Sequence, residues 1–72
     1  MKTTIEILNL ASTGTNLVVD ASSKTTIDLI NIVRKVAIHK GHVTLVNCNN
    51  KTTIELTRIA QVAPINVTID LS

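Results

Sequence analysis

The sequence predicts a small α/β domain: a two-layer sandwich in the order ββαβαβ, with a mostly parallel four-stranded sheet and both helices on one face. Three observations carry that prediction. Of 72 residues, 10 are Ile, 8 are Val and 11 are Thr, and β-branched side chains, stiff at their first torsion, suit a pleated surface. Two apolar runs, Leu17-Val18-Val19-Asp20 and Thr44-Leu45-Val46-Asn47, are too short for helices and long enough for buried strands. Each run then passes through a short polar tract into a Lys-Thr-Thr-Ile-acid sequence that has the form of a helix start.

That motif occurs three times, at Lys2 to Glu6, Lys24 to Asp28 and Lys51 to Glu55. At the N-terminus, residues 4–10 alternate enough to read as a strand, leading through Ser12-Thr13-Gly14-Thr15-Asn16 into the strand at Leu17. Thr25 with Asp28 and Thr52 with Glu55 have capping-box spacing, in which the hydroxyl accepts from a first-turn amide and the acid reaches back; Asp is the weaker match. The first helix, about 25–40, places Leu29, Ile30, Val33, Val36 and Ala37 on its inward stripe. Gly41 is expected to end it in a left-handed turn, with Lys35, His39 and Lys40 complementing the dipole. The second helix, about 52–63, turns Leu56, Ile59, Ala60 and Ala63 inward and stops at Pro64. Residues 66–71 form the last strand, Val67, Ile69 and Leu71 alternating with Thr68 and Asp70.

Two successive right-handed crossovers put both helices on one side of the sheet and leave the other side bare. A chain this short buries only about 60% of the surface it exposes when unfolded, and Cys48, the single cysteine, has no partner within the chain. Association with a further copy or a protein partner is the expected supplement. The interface candidates are Thr44 and Val46 on the bare face, with Ile27, Ile32 and Ile38, which fall outside the inward stripe.

Ligands of parallel sheets gather beyond the carboxyl ends of the strands, where helix N-termini point. That edge carries Asp20, Ser22, Ser23, Lys24, Asn49 and Lys51, a candidate site for a small anion or a phosphorylated group; solvated helix caps use the same residue types. Gly14 and Gly41 are the only glycines, so no phosphate-binding glycine loop is present. His39 and His42 flank Gly41 as helix-end residues rather than a metal pair, and Cys48 has no neighbouring histidine to activate it. The expectation is no catalytic residue, no metal and no cofactor. With no aromatic residue and a net charge of +2, nucleic-acid contact through Arg34, Lys35 and Lys40 is a lesser alternative. Glu6 and Asn9 interrupt the N-terminal apolar residues, which argues against a secretory signal or membrane span and for a cytoplasmic protein.

From Leu17 to Leu71 the chain resembles the STAS family of anti-sigma-factor antagonists and sulfate-transporter regulatory domains. The likeness lies in Val18-Val19-Asp20-Ala21-Ser22-Ser23 and in His39-Lys40-Gly41-His42-Val43-Thr44-Leu45-Val46-Asn47, followed by a helix at Glu55 to Ala60. Lys24 stands where that family has Gly, and Ala21 is an insertion. The resemblance implies a regulatory domain switched by phosphorylation at Ser22 or Ser23. The residues themselves favour a small non-enzymatic, self-associating interaction module.

Overall fold

The computed structural model describes residues 2–72. Three helices alternate with three strands: α1 (Thr4–Ala11), β1 (Asn16–Asp20), α2 (Thr26–Ile38), β2 (His42–Val46), α3 (Thr53–Val62) and β3 (Val67–Ile69). The strands form one parallel sheet in the order β1-β2-β3. Leu17 lies opposite Val43 and Val43 opposite Val67; Val19, Leu45 and Ile69 follow in the same register. In the helical layer α1 packs on α2 and α2 on α3. The molecule is a stack of helix-strand units in which each unit touches its neighbour.

The expected four-stranded ββαβαβ sheet is therefore corrected at its first element. Residues 4–10 are helical because Thr3 and Glu6 form a full capping box, like the one that Thr52 and Glu55 form ahead of α3. The Thr3 hydroxyl accepts from the Glu6 amide at 3.2 Å, and the Glu6 carboxylate accepts from the Thr3 amide at 2.9 Å. Ile7 and Ala11, one turn apart, are the buried pair. The alternation that suggested a strand is accounted for by Ile5, which is exposed on the other side of the helix.

α2 buries Leu29, Ile32, Val33 and Val36. Ile32, expected outside the inward stripe and available to a partner, is wholly buried. A helix flanked by α1 on one side and α3 on the other covers more than one stripe, which a single-face reading does not anticipate. Leu45, Val43 and Ile59 complete the largest buried side chains, and Cys48 and Val67 lie at the margin of the same core. The opposite sheet face has no helical cover. Val18 is 73% exposed there, Thr44 and Val46 are half-buried and Thr68 is exposed.

The end of α2 also differs from expectation. Lys40, not Gly41, takes the left-handed turn, with φ 62°. The Lys40 amide donates to the Ala37 carbonyl at 3.1 Å and the Gly41 amide to the Val36 carbonyl at 2.9 Å, the paired bonds of a Schellman ending. Gly41 is needed for close approach instead: a Cβ there would lie 2.7 Å from the Thr15 carbonyl oxygen. Gly14, at φ 81°, meets the His39 carbonyl in the same way. The loops entering β1 and β2 thus stack backbone on backbone. Asn47 is left-handed too, at φ 57°; it takes up the one extra residue between Val46 and Lys51 relative to the stretch between Asp20 and Lys24, a role asparagine tolerates well.

These two positions separate by substitution. Lys40→Gly should raise stability by about 0.5–1 kcal/mol, because the left-handed turn no longer strains a Cβ. Gly41→Ala should lower it by about 2 kcal/mol through the clash with Thr15. Urea unfolding of both variants checks this, and equal midpoints would contradict the assignment.

Candidate functional site

The three motif copies lie side by side along one edge of the stack, and their side chains bond from unit to unit. The Lys24 ammonium donates to the Lys2 carbonyl at 2.9 Å, and the Lys51 ammonium donates to the Lys24 carbonyl at 2.6 Å. The second threonine of the first two motifs reaches the opposite way. Thr4 donates to the Asp28 carboxylate at 3.4 Å and Thr26 to the Glu55 carboxylate at 2.9 Å. A lysine ladder and a threonine-acid ladder therefore tie consecutive units together. Below them Asn50 donates to the Ser22 carbonyl at 3.0 Å and Asn47 to the Asp20 carboxylate at 3.2 Å.

Of the expected anion-site residues, Lys24 and Lys51 each donate one ammonium bond to a carbonyl oxygen of the preceding unit. Asp20 accepts from the Ser22 amide at 2.9 Å and the Ser22 hydroxyl at 2.6 Å, closing a turn that Asp70 repeats with Ser72. The Ser22 hydroxyl lowers the Asp20 carboxyl below its ordinary value, helped by the Ser22 amide and Asn47. A phosphate on Ser22 would have to displace that hydroxyl from a carboxylate of its own sign. Ser23 and Asn49 are exposed, with no side-chain hydrogen bond to a described residue.

The motif acids are equally engaged. Glu55 is held below its ordinary value first by the Thr52 amide and then by the Thr26 hydroxyl, and Glu6 by the Thr3 amide. Asp28 accepts from Thr4, but its shorter side chain forms no capping box. Cys48 is buried, and burial raises its thiol, with Asp70 adding to the effect. His42 bonds Thr68 across β2 and β3 at 2.7 Å. Arg34 donates to Asn31 one turn back, and Lys40 occupies the left-handed turn after α2.

A row of isoleucines accompanies the ladders. Ile5, Ile27 and Ile54, the second residue of each helix, are 71%, 71% and 68% exposed. Of this row only Ile27 stands among the isoleucines expected at an interface (Ile27, Ile32 and Ile38); Ile5 and Ile54 are further members. The repeat itself carried that signal, since a residue at one motif position predicts the exposure of its counterparts. Ile38 is exposed near the end of α2, outside the row.

The stack ends in two grooves. At the N-terminal end, Ile7 and Leu10 beneath α1 face the free edge of β1 along Leu17, Val18, Val19 and Asp20. At the other end, Thr53, Leu56, Thr57 and Ala60 on α3 flank Ile69 and Leu71. Among the described residues, no helix is long and apolar enough to cross a membrane, and no group of three His, Cys, Asp or Glu side chains could hold a metal ion. No family model, curated protein or solved structure matches the chain. The resemblance to the STAS family rests on the quoted residues alone.

Two outcomes follow from this chemistry. A depressed folded carboxyl stabilises the fold above its unfolded value and loses that contribution as pH falls through the folded one. Glu55→Gln keeps a cap acceptor but removes the charge. The stability difference between parent and variant should be constant above pH 4.5, the ordinary Glu value, and shrink below it; a difference independent of pH would contradict the Glu55 assignment. Cys48, protonated and shielded, should react with a thiol reagent only as fast as the chain opens, so labelling at the rate of an exposed thiol would overturn that placement.

Proposed function

We propose that the protein is a small non-enzymatic interaction module that associates with further copies of itself. The observation carrying this reading is the state of the two stack ends. Repeat stacks remain discrete when their outer faces are polar, whereas the two open sides of the described stack carry mainly apolar grooves, the first rimmed by Lys2, Asp20, Ser23 and Lys24. Exposed Leu10 lines the first and exposed Leu71 the second. The reactive groups support the non-enzymatic part. The thiol is buried, Lys24 and Lys51 bond carbonyls, and the motif acids serve as caps and ladder acceptors.

Sedimentation equilibrium over micromolar to millimolar concentrations tests the reading. The mean mass should rise above the 7.8 kDa of one chain as concentration increases. A constant 7.8 kDa throughout would end it.

A further inference from the structure

We infer that association is head-to-tail: the free edge of β3 in one copy pairs with the free edge of β1 in the next, so that the second copy continues the stack of the first. This inference rests on the self-association proposed above and specifies its surface. The two grooves are built from different elements, α1 with β1 at one side and α3 with β3 and Leu71 at the other. α1 overhangs the edge of β1 with no described strand beneath it, and β3 is followed by no described helix. The first groove has the place of a strand and the second has the place of a helix. One docking fills both, with β3 entering beneath the second copy's α1 while that α1 lies against α3.

The contact reuses an interface the chain already makes twice. Carrying the internal register one step further sets Val67 opposite Leu17 of the second copy and Ile69 opposite its Val19, as Val43 and Leu45 stand between them within the chain. Both ladders extend by the same step. Lys2, whose ammonium lies 3.8 Å from Glu6 at the surface, takes the position from which Lys24 and Lys51 donate, and its acceptor becomes the Lys51 carbonyl of the preceding copy. Thr53, which lines the second groove, takes the position of Thr4 and Thr26, and its acceptor becomes Glu6 of the following copy. The turn closed by Asp70 and Ser72 repeats the turn of Asp20 and Ser22 that precedes Lys24, and it falls immediately before Lys2 of the second copy. Such a contact joins two different patches, so each added copy presents a further docking end until a ring closes, and the assembly grows with concentration.

Blocked variants test it. A head-blocked protein carries Lys2→Glu with Leu10→Glu, and a tail-blocked protein carries Thr57→Glu with Leu71→Glu; all four residues are exposed. Each variant alone should associate about tenfold or more weakly than the parent, and an equimolar mixture should form a one-to-one pair that grows no further, because each supplies the end the other lacks. A parent that associates while the blocked variants still assemble alone, or fail to pair when mixed, would overturn the head-to-tail geometry and leave self-association standing. A parent that stays monomeric would overturn both. Backbone amide shifts of the unsubstituted chain on dilution give a second reading: they should move along β1, α3 and β3, and shifts centred on Thr44 and Val46 would place the contact on the bare sheet face instead.

Discussion

The bond on which the stack depends is the one from the Lys51 ammonium to the Lys24 carbonyl, repeated from Lys24 to Lys2. Each is a charge-assisted hydrogen bond between neighbouring units, the Lys51 bond part-buried and the Lys24 bond exposed; such bonds are worth about 1.5–3 kcal/mol where water is excluded and less where it is not. Its consequence is positional. It fixes the start of one helix against the start of the previous one, and the adjacent threonine-acid bond fixes the same junction from the other direction. A chain with no aromatic residue has few large side chains to lock its helices together, so polar registration at this edge complements a core of Leu, Ile and Val.

Much of the local structure was legible in the sequence. The capping threonines, the limits of α2 and α3 to within two residues, and the apolar runs of β1 and β2 all follow from short-range preferences. What failed were readings in which one local pattern competed with another. Residues 4–10 carry a strand-like alternation but follow Thr3, which forms a capping box with Glu6, and the helix prevails because the box satisfies open amides and α1 buries Ile7 and Ala11. The burial of Ile32 is not legible locally because it depends on helices both before and after α2 in the chain. Propensity points to Gly41 as the left-handed residue after α2, while the close approach of Thr15 requires that glycine for another reason and Lys40 takes the turn.

The edge chemistry was harder to read for a related reason. Lysine and hydroxyl groups beside helix starts suggest an anion site when each unit is considered alone. Placed side by side, the same groups also bond one another across units, Lys24 and Lys51 each donating to a backbone carbonyl of the unit before. A repeated motif in a stack carries information about its neighbours as much as about a ligand. The same logic makes the first and third copies distinctive, since among the described residues Lys2 and Thr53 lack the partners that their counterparts have.

That asymmetry gives the most direct measurement of the account. Lys2→Met, Lys24→Met and Lys51→Met change the same motif residue at three positions, and their unfolding free energies can be compared at low micromolar concentration, where association is minimal. Lys24→Met and Lys51→Met should each cost about 1–2 kcal/mol, while Lys2→Met, which removes only an exposed ion pair with Glu6, should cost less than about 0.5 kcal/mol. Equal costs at all three positions, or none at Lys24 and Lys51, would show that the lysine ladder does not hold the units in register.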